Sequence, residues 1–260
     1  QRHFLWGASL ILIVIFLFYP TIKRGSISSS SEPTQRNTLK NYLFAKDYWK
    51  PYDMRKYIPA FLIIAVMPYW HGSALISLLL ILFVMVFFAK ERLLYVFAAI
   101  TGVFFSFFFA EIFSGGSSGI VSPEFFWGFI SPDKSLIRVG VYLFKVIGIA
   151  FFLIPLIPFM NKTRKSLSLF FACLSLILFT FTVSLTSDVT VNHKYLIIAM
   201  AFLNIFIAAL FSDLIAIVRK LLSKNILAGA LSFILVLFIG FALFSTGLVE
   251  FIGYKNKNKN

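Results

Sequence analysis

The chain has 260 residues, of which 60% are hydrophobic and only 13% are charged, and its mean hydropathy is +0.91. This composition excludes a soluble domain, because too few polar side chains remain to cover a core of this size. The net charge of +14 is divided among short segments between apolar runs. That pattern is typical of membrane loops and not of a nucleic-acid-binding surface, so we expect no nucleic-acid partner.

Eight apolar runs follow one another along the chain, and about 20 apolar residues are enough to cross a bilayer as a helix. They lie at 4–19, 58–70, 73–89, 93–113, 136–159, 167–185, 195–218 and 226–249. We therefore predict an all-α fold, a polytopic transmembrane helix bundle of about 7–8 spans. Its parts are a first span at 1–19, a basic cytoplasmic connector at 20–57, a helix bundle at 58–249 with outer loops 114–135 and 186–194, and a polar tail at 250–260.

The run 58–70 allows two interpretations, a short spanning helix or a re-entrant half-helix. Thirteen residues reach only about 20 Å, which is less than the hydrocarbon thickness. Pro59 and Pro68 bracket the run, and Trp70-His71-Gly72 separate it from the next one. We favour the spanning interpretation, because a re-entrant segment would move eight basic residues of the connector out of the cytosol.

The distribution of Lys and Arg predicts the orientation. With eight spans, the loops 20–57, 90–92, 160–166 and 219–225 share one side and carry sixteen of these residues, whereas the other side carries six. The richer side is therefore predicted to be cytoplasmic. The bilayer is the expected partner of the whole bundle, in a cell membrane.

Polar residues that could bind a substrate concentrate on the predicted outer side. Asn192, His193 and Lys194 stand where an outer loop enters a helix, and His71 stands between two runs. Histidine and lysine can donate hydrogen bonds to a phosphate, and we expect Asp188 to orient His193. The alternative for these residues is headgroup contact and loop capping.

Two further candidates lie inside the run 136–159. Arg138 and Lys145 are seven residues apart and share one helical face. Charges at membrane depth are usually paired or line a cavity. They would either line a groove for an anionic substrate or, in the case of Arg138, form an ion pair with Glu111.

Other chemistries find little support in the chain. The nucleotide-binding, hydrolase and zinc-protease motifs are missing, so we predict no cofactor. His3, His71 and His193 with the few outer acids are too sparse for a metal site. Cys173 is the only cysteine, and we interpret it as a packing residue.

Several segments together resemble bacterial polytopic membrane proteins of the C-class glycosyltransferase superfamily. They are Trp70-His71-Gly72-Ser73-Ala74-Leu75-Ile76, Ala89-Lys90-Glu91-Arg92-Leu93, Asp188-Val189-Thr190-Val191-Asn192-His193-Lys194-Tyr195, Leu203-Asn204-Ile205-Phe206 and Ser245-Thr246-Gly247-Leu248. The resemblance covers roughly 58–250. It implies a polyprenyl-phosphate-linked sugar as donor, with transfer on the extracytoplasmic face.

That superfamily keeps a catalytic acid in its first outer loop, and this chain shows no such early outer loop. The chain begins at Gln1 and not at Met, so we expect it to be a C-terminal membrane portion, with the catalytic acid outside this segment. The resemblance then assigns a phosphate-binding role to Asn192, His193 and Lys194, and to His71. The alternatives are a transporter or flippase of an anionic lipid-linked substrate and a non-catalytic membrane scaffold subunit.

Overall fold

The structure is a computed structural model that describes residues 2–22, 48–51, 53–114, 123–131, 133–160, 163–186 and 188–257. Most of the predicted connector, 23–47, lies outside these ranges. So do 115–122 of the first outer loop and the last three residues of the predicted tail.

The predicted all-α fold is confirmed in the described residues. The α-helices are α1 (Arg2–Phe18), α2 (Ile58–Met85), α3 (Arg92–Ser114), α4 (Leu136–Ile147), α5 (Ala150–Leu153), α6 (Ile157–Met160), α7 (Arg164–Thr182), α8 (His193–Leu222) and α9 (Ile226–Lys257). Short 3-10 turns occupy Tyr19–Thr21, Met54–Tyr57, Ile154–Leu156 and Val189–Asn192. The strands β1 (Glu124–Phe125) and β2 (Val183–Ser184) form one small antiparallel ladder.

The helices have the length and composition of a multi-pass membrane protein. Five of the described helical segments are long and apolar enough to cross a bilayer. A sixth span results if Leu136–Ile147 and Ala150–Phe159 are counted together, and Trp6–Thr21 is a shorter apolar helix. These segments agree with the prediction of about 7–8 spans.

The chain divides into two compact units. Unit 1 contains residues 1–129 and 161–199, and unit 2 contains residues 130–160 and 200–260. The core of unit 1 lies where α1, α3 and α7 pack on α2, around fully buried side chains such as Phe18, Ile64, Leu78 and Leu176. In unit 2, α8 packs beside α9, and Gly240 lies in contact distance of the Phe211 ring.

Helix α2 is two helical legs joined at His71, whose backbone is extended (φ −163°, ψ 92°). A Cβ built on Gly102 of α3 would lie 3.4 Å from Ile64 and 3.3 Å from Leu79. Fifteen residues of straight helix would separate those two side chains by about 22 Å. The chain must therefore fold back at His71, with Ile64 on the first leg and Leu79 on the second.

Both legs begin or end at the same end of unit 1. The Phe18 ring contacts the Tyr57 ring just before the first leg in a tilted arrangement, with ring centroids 5.5 Å apart, and Ile22 forms a β-bridge with Ala89 just after the second leg. The two separate runs predicted at 58–70 and 73–89 thus correspond to two legs. That each leg crosses the bilayer stays a prediction. We call the two ends of unit 1 the His71 end and the Glu91 end.

The predicted run 136–159 is not one straight helix. Its segments Leu136–Ile147 and Ala150–Phe159 meet at an angle of 109°. Gly148 ends α4 with φ 62° and ψ −144°, a backbone conformation that a side chain would make unfavourable. The run is also interrupted at Pro155, which lies in the 3-10 turn Ile154–Leu156 between α5 and α6. The sharp bend is at Gly148, because a glycine permits a sharper reversal than a proline kink.

Candidate functional site

Three of the predicted substrate-binding residues, Asn192, His193 and Lys194, lie at the His71 end of unit 1. The hydroxyl of Tyr195, in the first turn of α8, lies close to the side chain of Ser73, just after the turn of α2. Tyr195 also packs edge-on against Phe179 of α7, at a centroid distance of 5.1 Å. These contacts bring the start of α8 to the same end of the unit as His71.

Asn192 is a buried structural tie. Only 1% of the residue is exposed. Its side-chain amide donates to the carbonyl of Thr180, at 3.1 Å, and to the carbonyl of Val183, at 2.7 Å. Thr180 lies in the last turn of α7 and Val183 is the first residue after it, where the helix no longer supplies amide donors. Asn192 therefore joins the end of α7 to the start of α8 and positions His193 and Lys194.

The turn before α8 is organised by Asp188. Its carboxylate accepts hydrogen bonds from the amide of Thr190, at 2.9 Å, and from the Thr190 hydroxyl, at 2.6 Å. These bonds, with a smaller contribution from the charge of His193, hold the pKa of Asp188 below its usual value. The sequence predicted that Asp188 orients His193. In the structure, Asp188 and His193 each hydrogen-bond to Thr190 and not to each other.

His193 is exposed, and its tautomer follows from its partner. Nδ1 lies 2.6 Å from the carbonyl oxygen of Thr190. A carbonyl only accepts, so Nδ1 must carry the hydrogen and donate it. In the neutral ring, Nε2 then holds a lone pair. His193 can therefore accept a proton or a hydrogen bond at Nε2, and it becomes a second donor there when it is protonated.

His71 has the opposite tautomer. Its Nδ1 accepts a hydrogen bond from the amide of Ala74, at 3.3 Å, as the cap of the second leg of α2. In the neutral ring Nε2 must therefore carry the hydrogen. A Cβ on Gly7 of α1 would lie 3.6 Å from His71, so α1 passes close to this turn.

The first turn of α8 contains Lys194 and no acidic residue, and it directly follows the 3-10 turn that Asp188 caps. A helix N-terminus carries about half a positive charge, which attracts anions and disfavours a cation. An anionic group would relieve that repulsion. The His71 end is therefore suited to hold a phosphate.

Arg138 and Lys145 belong to unit 2 and so form a separate candidate. Both side chains are exposed, and Lys145 lies in the last turn of α4, where a cation is favourable. Arg138 Nε lies 4.0 Å from Oδ2 of Asp133, in the turn that precedes the helix. The structure thus pairs Arg138 with an acid of its own unit, whereas the expected partner, Glu111, belongs to unit 1.

The Glu91 end of unit 1 is a candidate site that the sequence does not predict. Two cavities, of about 700 and 330 Å³, lie there and share Pro20 and Glu91 in their linings. In the sequence, the run Lys90-Glu91-Arg92 contributes only to the predicted orientation and to the resemblance. A charged triplet between two apolar runs is typical of a solvated loop. The cavity forms because Thr21 and Lys165, which are distant in sequence, lie close to this loop in the fold.

No protein-family profile, curated protein or solved structure matches this chain. The functional argument therefore depends on the geometry of the described residues. Within that part of the chain, no three histidine, cysteine, aspartate or glutamate side chains come together in a way that could hold a metal ion.

Proposed function

We propose that this multi-pass membrane protein is the membrane portion of a glycosyltransferase-like enzyme that handles a polyprenyl-phosphate-linked sugar at the extracytoplasmic face of the cell membrane. The His71 end of unit 1 is the binding site for the lipid phosphate. The observation that carries the proposal is the pair of contacts, Ser73–Tyr195 and Asn192 to the end of α7, that gathers His71, His193 and Lys194 at one end.

The chemistry of the site fits the departure of a phosphate. When the bond between the anomeric carbon and the phosphate oxygen breaks, the polyprenyl phosphate leaves with one additional negative charge. Lys194 and the Nε2–H group of His71 would stabilise that charge, which develops in the transition state. The lone pair at Nε2 of His193 can accept a hydrogen bond from a hydroxyl of the sugar or of the acceptor.

The test is sugar turnover in vesicles that contain the full-length protein and a polyprenyl-phosphate sugar. Lys194→Gln should lower turnover by about tenfold or more, since one charge contact in a desolvated site is worth about 1.5–3 kcal/mol. Lys134→Gln is the matched control, because it removes the same charge from an exposed position in the predicted outer loop. Equal turnover by the two variants would contradict the assignment.

A second function, transport of an anionic lipid-linked substrate, is favoured by one observation. The 109° break at Gly148 gives unit 2 a discontinuous helix, with Lys145 three residues before the break. Broken helices line the binding sites of many transporters. Gly148→Ala should slow the movement of a labelled lipid-linked sugar between vesicle leaflets, whereas Gly140→Ala, in the intact part of α4, should not. Equal rates for the two variants would exclude this function.

A further inference from the structure

The Glu91 end of unit 1 is held together by backbone contacts between distant segments. Ile22 and Ala89 form an antiparallel β-bridge, and the amide of Lys90 donates to the carbonyl of Thr21 at 2.9 Å. The Thr21 side chain is buried and lies within 2.7 Å of the hydroxyl of Tyr95. The turn after α1 is therefore fixed against the loop that precedes α3.

A cavity of about 700 Å³ opens beside this contact. Its lining includes Tyr19 and Thr21 from the turn after α1, Lys90 and Glu91 from the loop before α3, and Lys165 from the first turn of α7. Sites for small molecules usually measure about 300–1,000 Å³. Three separate segments of unit 1 thus converge on a space of the size that a ligand requires.

The charges in this cavity favour an anion. Among the described residues of the lining, Lys90 and Lys165 contribute two positive charges and Glu91 contributes one negative charge, so these three residues carry one net positive charge. Lys165 is held in place, because its Nζ lies 4.4 Å from the centroid of the Tyr19 ring. Glu91 has a left-handed backbone, with φ 62°, which is uncommon for a residue with a side chain.

The second cavity, of about 330 Å³, adjoins the first and has a mixed lining. It shares Pro20 and Glu91 with the first cavity, and its apolar part is Phe16 and Leu17 of α1. The rest of its lining is Tyr57 and the ion pair of Asp53 and Lys56, whose charges cancel. Phe16 is 74% exposed. A ligand that carries a negative headgroup and a hydrocarbon chain would therefore find a partner for each part, which a soluble phosphate would not.

We propose that the cavity between Lys90 and Lys165 binds the phosphodiester headgroup of an anionic phospholipid. A phosphodiester carries one negative charge, which matches the one net positive charge of Lys90, Glu91 and Lys165. The two ammonium groups contact its oxygens, and the hydrocarbon chain lies along Phe16 and Leu17. This site is separate from the sugar-phosphate site proposed at the His71 end, so either proposal can fail without the other.

The test measures how much phosphatidylglycerol stays bound when the full chain is extracted from vesicles of phosphatidylglycerol and phosphatidylcholine. Native mass spectrometry counts the bound lipids. Lys90→Gln or Lys165→Gln should each weaken retention by about fivefold, and the double variant by about thirtyfold. Lys220→Gln is the matched control, because this exposed lysine lies on the same predicted side, and it should change retention by less than about twofold.

Two further arms separate the outcomes. Tyr19→Phe keeps the ring under Lys165 and should bind as the parent chain does, whereas Tyr19→Leu should weaken retention by roughly threefold. Thermal unfolding shows that each variant is folded. Retention of phosphatidylglycerol by a folded double variant at the parent level would overturn the proposal. So would displacement of the lipid by millimolar inorganic phosphate, which would identify a soluble-phosphate site.

Discussion

Replacement of Asn192 by Ala should destabilise the protein strongly. The substitution removes the donor of two hydrogen bonds, to the carbonyls of Thr180 and Val183. A buried acceptor that loses its partner costs about 1–3 kcal/mol, and water cannot replace the donor at a site where the residue is 1% exposed. Two such carbonyls, one fully and one partly buried, give a loss of about 3 kcal/mol in the free energy of unfolding.

Asn192→Asp should be at least as harmful, although its side chain has the same shape. A carboxylate would set oxygen against both carbonyl oxygens, without a hydrogen to share. The assay is reversible unfolding in mixed micelles, followed by the loss of helical circular dichroism. Asn204→Ala is the control, because this exposed asparagine of α8 undergoes the same chemical change. A loss for Asn192→Ala no larger than that of the control would refute the tie between α7 and α8.

Three further predictions concern other parts of the described chain. Gly7→Ala should lower the melting temperature, because the added Cβ would lie 2.8 Å from the Cβ of Ala74 in α2. Gly140→Ala should raise the melting temperature, because nothing lies within 4 Å of the added Cβ and alanine is favoured over glycine in a helix by about 1 kcal/mol. Because the pKa of Asp188 is lowered, its ionised carboxylate stabilises the turn fully at any pH above the ordinary aspartate pKa. This stabilisation is lost as the pH falls through the lowered pKa. Amide hydrogen exchange, measured in a series of increasingly acidic buffers, should therefore show faster opening of the turn only in that pH range. An impermeant amine reagent added to intact cells should label Lys194 and spare Lys165; the reverse pattern would invert the predicted orientation.

Apolar run length was sufficient to predict the helices. The run 195–218 lies within α8, and the run 93–113 lies within α3, because about 20 apolar residues in succession leave no alternative to a helix in a membrane. The two runs on either side of Trp70-His71-Gly72 were also distinguished correctly. Those residues interrupt the apolar sequence, and the helix α2 reverses its direction at His71.

Partners across the chain could not be predicted in the same way. The sequence places Asp188 near His193, but the structure shows that Thr190 binds both of them, because a short side chain two residues away reaches the turn amide first. The run 136–159 also bends by 109° at Gly148, which the sequence analysis did not predict. A hydropathy average cannot locate the bend at Gly148, because one glycine changes that average very little. The bend depends on the backbone conformations that glycine can adopt.

The reversal at His71 has a consequence for biogenesis. Each leg of α2 is only about 20 Å long, shorter than an ordinary membrane-crossing helix. If both legs cross the bilayer as predicted, we expect them to enter lipid as a pair with the Trp70-His71-Gly72 tip leading, because each leg alone is short for a membrane span. Errors at that tip would then appear as failed delivery to the membrane, before the finished protein could be assayed at all.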